Sequence, residues 1–151
     1  MEAFKSYRTG SGQSISSLLA KYGSKAEASL GRQLFREASG ILSASAGLVP
    51  VDTGALKSSG YVADPKREGD VIEVVLGYGG PAAQINPKTG ESTDGYAVMV
   101  HENLEAHHPV GSAKFLEMPF DQATQGMATR VAAAMKGELS GGAAAPTESE
   151  A

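Results

Sequence analysis

The chain contains no cysteine and no tryptophan, and aromatic residues make up 6% of its 151 positions. Without thiols there is no disulfide framework, no thiolate nucleophile and no cysteine-ligated zinc site. With so few aromatic rings, the core has to be aliphatic and modest in volume. Nineteen glycines, with many alanines and serines, keep side-chain volume low throughout. Such a module is marginal as a lone monomer and gains from neighbours that bind its folded form.

A surplus of positive charge is also missing. Thirteen Lys and Arg against seventeen Asp and Glu give a net charge of −4, which disfavours a protein whose main task is to neutralise a phosphate backbone. The basic residues are scattered, as Lys21, Lys25, Arg32 and Arg36, then Lys57, Lys66 and Arg67, then Lys114, Arg130 and Lys136. None forms a basic tail. No window approaches the length of a membrane span, and Met1-Glu2-Ala3-Phe4-Lys5-Ser6 lacks a basic region followed by an apolar stretch. The reading is a protein made and folded in cytoplasm, with no specific nucleic-acid binding and no membrane contact.

The length points to one domain. Residues 1–23 read as a flexible arm carrying one helical turn around Ile15, Leu18 and Leu19. From Ser24, the recurrence of Ala26, Leu30, Leu34, Ala38, Ile41, Leu42 and Leu48 at three- and four-residue steps predicts an amphipathic helix. Ser24 and Glu27 are placed for a capping box. Gly47, in a left-handed closing conformation, and Pro50 should end the helix. Pro50, Asp52, Thr53 and Gly54 then specify a tight turn.

Residues 58–63 and 71–78 predict the two strands of a hairpin, separated by a polar loop at 64–70. The turn formers of 79–95 predict a long mobile loop. Tyr96-Ala97-Val98-Met99-Val100-His101 reads as a third strand. A helix from Met118 to Lys136, with Pro119 in its first turn, follows Lys114-Phe115-Leu116. Residues 137–151 read as a disordered tail. The fold class is therefore α+β: one domain over 24–136, a small antiparallel sheet packed by a long N-terminal helix and a C-terminal helix.

For chemistry, the sharpest cluster is His101-Glu102 with His107-His108, because imidazoles and a carboxylate close in sequence can bind a divalent metal. The spacing is wrong for the helical zinc-protease pattern, which needs two histidines four residues apart on one helix. The simpler reading places these groups on a loop at a subunit contact, so no metal or cofactor is assigned. No serine sits in a strand-to-helix elbow that would expose a nucleophile. Gly77-Tyr78-Gly79-Gly80 leads into Pro81 and more loop, so it presents no helix N-terminus to a phosphate. Asp52 is explained by turn chemistry, and one Asp-Thr-Gly without two β-rich lobes or a dimer of such chains is not an aspartic protease. No catalytic residue is assigned.

Three segments in order carry a resemblance: Pro50-Val51-Asp52-Thr53-Gly54-Ala55-Leu56, then Tyr96-Ala97-Val98-Met99-Val100-His101-Glu102, then Lys114-Phe115-Leu116. Their order between two helices resembles the gene-product-ten-like tail-completion or neck proteins of long-tailed bacteriophages, over roughly Lys25 to Lys136. The resemblance implies a non-enzymatic structural virion protein, assembled in the host bacterial cytoplasm. It would join a ring of copies, often sixfold, around the DNA channel between head and tail. It also implies other neck and tail proteins as partners, with a minor capsid or tail-associated protein as the alternative. The Asp52-Thr53-Gly54 turn would then fix the angle between helix and sheet, with Tyr96 and Phe115 filling the core or an interface. The insert from Asn103 to Gly111 and the loop at 79–95 depart from the simplest pattern.

Overall fold

The computed structural model describes residues 13–51, 53–102, 111 and 113–141. Its architecture is α+β, with a small antiparallel β region laid against a long helix and a set of C-terminal helices. Among the described residues no helix is long and apolar enough to cross a membrane.

Helix α1, Gln13–Tyr22, occupies part of the segment read as an arm. Ile15 is buried, and Leu18, Leu19 and Tyr22 pack against the core, so the apolar knot seen in the sequence has a surface to cover on α2 and α6. The remainder of the arm, 1–12, lies outside the described residues.

Gly23, at φ 54°, breaks the chain between α1 and helix α2, Ser24–Ala46. The predicted capping box does not form. The Glu27 N–H bonds the Gly23 carbonyl at 3.1 Å, and the Glu27 carboxylate reaches Arg67 across 2.8 Å. A long-range ion pair has taken the group that would have capped locally. At the other end Gly47 stays right-handed, at φ −72°, in place of the predicted left-handed residue. The Ser45 carbonyl closes the helix by accepting from the Leu48 and Val49 N–H groups at 2.8 and 3.0 Å.

The turn that follows uses Gly54 at φ 81°, a left-handed conformation in which a Cβ is strained. Thr53 Oγ1 accepts the Ala55 N–H at 3.3 Å, and one helical turn, α3 (Ala55–Ser58), buries Leu56. Asp52 lies outside the described residues.

The hairpin has four short strands: β1 (Gly60–Val62), β2 (Lys66–Glu68), β3 (Val71–Glu73) and β4 (Leu76–Tyr78). β1 pairs with β4, Val62 opposite Leu76, and β2 pairs with β3, Lys66 opposite Glu73. The predicted 64–70 loop thus contains a strand, and the true turn is at Gly69. Between the two ladders, residues 63–65 face only 74–75, so the first arm carries an extra residue, a bulge at Pro65, which has no N–H to give a ladder. Pro65 seats on Gly31 of α2, where an added Cβ would come within 3.1 Å of the proline ring. A mid-helix glycine is unfavourable in isolation, and here it lets the hairpin approach the helix backbone.

Residues 79–95 have structure of their own. A 3₁₀ turn at Gly80–Ala82 leads to an antiparallel bridge between Ile85 and Ser92, with Thr93 N–H bonded to the Gln84 carbonyl at 2.8 Å. Helix α4, Thr93–Glu102, replaces the predicted third strand. The continuous apolar run was ambiguous between the two forms. Ser92-Thr93-Asp94 ahead of it is a helix-start signal: Ser92 Oγ accepts the Asp94 N–H at 3.2 Å. Helical spacing also puts Ala97 and His101, four apart, on one buried face.

The C-terminal helix is two: α5 (Glu117–Thr124) and α6 (Met127–Ser140), divided at left-handed Gly126. Arg130 ties the break. It donates to the Gln125 and Ala123 carbonyls at the end of α5 and holds Glu37 of α2 with two bonds, at 3.1 and 2.9 Å. The predicted tail begins inside α6, and Glu138 within it is a structural residue. Its carboxylate accepts from Ser29 Oγ at 2.9 Å, Gln33 Nε2 at 2.9 Å and Arg32 Nε at 2.7 Å. Glu37 with Arg130 and Arg32 with Glu138 together show that α2 and α6 run antiparallel.

Burial pushes the Glu138 carboxyl up, but the bonds from Arg32, Ser29 and Gln33 outweigh it and hold the group below the usual carboxylate range. Replacing Glu138 with Ala leaves Ser29 and Gln33, both buried, without their acceptor. A loss of about 1 kcal/mol is expected, since Glu138 is a third exposed and Arg32 half-exposed, so their pairing is screened. Urea unfolding of the variant measures it, and an unchanged midpoint would show that the Glu138 carboxylate adds nothing to the docking of α6 on α2.

Candidate functional site

The residues singled out in the sequence converge around Phe115, which is fully buried. Its ring meets Tyr78 of β4 edge-on at 5.2 Å and His101 of α4 edge-on at 4.9 Å, arrangements that suit ring quadrupoles. Tyr78 is itself buried. Its hydroxyl pairs with Ser45 Oγ of α2 at 2.8 Å, and burial raises the phenol above its ordinary value, opposed by the Ser45 bond. One aromatic seam thus joins α2, the hairpin, α4 and the start of α5.

His101 is 5% exposed and both ring nitrogens are engaged. Nε2 lies 3.1 Å from the Glu117 N–H and must accept from it. The ring proton therefore sits on Nδ1 and is donated to Glu102 Oε1 at 2.7 Å. An imidazole from α4 thus satisfies one of the unbonded N–H groups at the start of α5, as a cap would. Lys114 completes the link. Its N–H bonds the His101 carbonyl at 2.7 Å and its carbonyl accepts the Met118 N–H at 3.0 Å. Its ammonium lies between Glu102 and Glu117, 3.1 Å from Glu117 Oε2.

Lys114 holds this position at φ 57°, the only positive φ on a non-glycine among the described residues. A residue with a Cβ is disfavoured there by about 1–2 kcal/mol, so its backbone bonds and ion pairs overcome local strain. The pairing also moves the titrations. The bond from Lys114, then that from His101, holds the Glu102 carboxyl below its ordinary value of 4.5. Glu102 and then Glu117 raise the Lys114 ammonium.

Gly111, at φ 90°, lies against the backbone after α2: an added Cβ would stand 2.5 Å from the Leu48 carbonyl oxygen and 2.6 Å from the Pro50 nitrogen. Gly111 thus seats beside Pro50, while Leu56, Ala97, Phe115 and Leu116 are buried in one core. Tyr96 is on the backbone of α4, and the role expected of its side chain lies outside the described residues. Sequence reasoning missed Glu117, Ser45, Tyr78 and Gly111. Only Glu117 left a local trace, three residues beyond Lys114 at the start of a helix.

The metal reading changes in content. His107 and His108 lie outside the described residues, while Glu117 joins His101 and Glu102, with donor atoms within 4.8 Å of one another. Those atoms are already committed, the imidazole to Glu102 and Glu117 and the carboxylates to an ammonium placed between them. A cation would have to displace Lys114, so the arrangement fits an ion-paired joint better than a metal centre. No family model, no curated protein and no solved structure matches the chain.

Two outcomes test this joint. Lys114→Gly removes the left-handed strain that Lys114→Ala retains, so the glycine variant is expected to be the more stable by about 1 kcal/mol in thermal unfolding; equal stabilities would place no strain at this residue. The Glu102 carboxyl titrates below 4.5 when folded, so its pairing contributes stability above that pH and loses it as pH falls through the depressed value. In Lys114→Met its titration, followed by carbon NMR, is expected to move upward, and an unmoved midpoint would remove Lys114 as the main cause.

Proposed function

We propose that the chain is a structural virion protein of a tailed bacteriophage, a tail-completion or neck subunit that forms a ring, sixfold in the simplest case, around the DNA channel. One observation carries the reading. The three segments that resemble the neck-protein family occur in family order, and several of their residues are joints of this fold. Pro50 is held against Gly111, Gly54 makes the left-handed turn, and His101-Glu102 locks onto Lys114-Phe115. A shared framework of this kind is what a family of small scaffolding subunits would keep while its loops diverge.

Composition and charge support the same reading. An acidic, low-volume subunit gains stability from its neighbours by mass action, and an acidic lumen would let DNA slide instead of binding it. Other neck and tail proteins are the proposed partners. A minor capsid or tail-associated position is a variant of this proposal within the same class.

Light scattering at several concentrations, with a metal assay on the same sample, tests it. A closed oligomer near six times the 15.5 kDa chain mass, or a metal-free monomer that enters a ring when phage neck components are added, is the expected result. A persistent monomer holding one tightly bound zinc ion would overturn the proposal in favour of chemistry at His101, Glu102 and Glu117.

A further inference from the structure

Helix α1 ends at Tyr22 and α2 starts at Ser24, so one residue, Gly23, joins them. The ladder of α1 runs as far as the Gly23 N–H, which bonds the Leu19 carbonyl at 2.9 Å, and that of α2 starts at the Gly23 carbonyl, which accepts the Glu27 N–H at 3.1 Å. The break is a single rotation. Gly23 makes it at φ 54° and ψ −126°, a conformation open to glycine and strained for any residue with a Cβ. A Cβ built there meets nothing within 4 Å, so the constraint is backbone conformation and not space.

Rotating Gly23 into the right-handed region would join α1 and α2 into one helix from Gln13 to Ala46, with the Ser24, Lys25 and Ala26 N–H groups bonded to the Ala20, Lys21 and Tyr22 carbonyls. The residues are in phase for it. Ile15, Leu18, Leu19 and Tyr22 make the apolar stripe of α1, and Ala26, Ser29, Leu30 and Gln33 are buried on α2. Counted through Gly23, these positions continue at three- and four-residue steps along one face of a single helix. A break that served only to fold α1 back would not require that phase.

As folded, α1 lays its stripe over α2 and α6 of its own chain. Straightening would carry Ile15 roughly 12 Å beyond Gly23 along the helix axis, leaving the stripe free on each copy and its former seat uncovered. We infer that α1 is an exchangeable arm, which straightens at Gly23 and lays its stripe over α2 and α6 of a second copy of this chain. The fit of arm to seat is the one already made within the chain, so exchange requires no new complementarity. Stripe and seat are different surfaces, and arms passed from copy to copy make a heterologous contact of the kind that closes into a ring. The inference rests on the ring-subunit reading and identifies the contact that would join the copies.

The hinge supplies the test. Gly23→Ala disfavours the folded-back conformation and favours helix, so it is expected to tighten association by about tenfold or more, read by light scattering across a dilution series. Inserting Gly-Gly-Ser after Gly23 relaxes the return of the arm to its own body and should weaken association several-fold. Because the chain has no cysteine, spin labels can be placed at Ser16→Cys and Ala28→Cys, both exposed. Diluted among unlabelled chains, the two labels should move apart on association, to roughly 18 Å along a straight helix axis.

If the wild-type chain forms a closed oligomer with the label separation unchanged, and both hinge variants associate as it does, the exchange is wrong and the ring reading stands. If no chain associates, alone or with neck components, both fail. A Gly23→Ala chain that stays monomeric with a lowered thermal midpoint would show that Gly23 serves only to fold the arm back, which overturns the exchange. A dimer with the labels moved apart would keep the exchange and overturn the ring.

Discussion

The fold depends on how closely other backbones can approach α2. With no tryptophan and few other aromatic residues, the chain cannot fill a wide space between its layers, so the layers have to lie near one another. The buried face of α2 accordingly includes Ala26, Ser29, Gly31, Ala38 and Ser45 among its few larger residues. Where packing volume is short, polar bonds supply what remains. Ser45 reaches Tyr78, Ser29 and Gln33 reach Glu138, and each of these groups is buried with a partner, as burial requires. Close approach and buried polar pairing are two consequences of one shortage of volume.

The joint around Phe115 follows from the same limit. Three aromatic side chains, Tyr78, Phe115 and His101, meet edge-on in the core, with Phe115 between the other two. They stand where four elements meet. His101 serves there as a ring, as an acceptor for the first turn of α5 and as a donor to Glu102, so one side chain sets the positions of α4 and α5 relative to each other. Lys114 is held in a strained conformation at that point, which indicates an over-determined joint.

Much of this was legible in the sequence, and what was not has specific causes. The α2 helix appeared at its observed length because its apolar spacing is periodic over more than six turns. The hairpin is legible because the largely apolar run from Val71 to Leu76 and the shorter Tyr61-Val62 are bounded by turn residues. Tyr96-Ala97-Val98-Met99-Val100-His101 was misread as a strand, since an unbroken apolar run satisfies either period and the Ser92-Thr93-Asp94 start signal was passed over. Glu138 was lost to a tail because acidic, alanine-rich composition resembles disorder, although the position falls seven residues beyond Val131 on the same buried face. His101, Glu102, Lys114, Phe115 and Leu116 were found as motif letters, but their meeting with Ser45 and Tyr78 is long-range and leaves no local signal.

At the joint, the titratable side chains are tied to one another and to backbone. Catalytic carboxylates and imidazoles are useful when their protons and lone pairs are free to reach a substrate. In the Phe115 joint each already has a partner, His101 through both nitrogens, Glu102 to His101 and Lys114, and Lys114 to two carboxylates, so these groups hold α4 to α5 with the bonds that a reaction would need free.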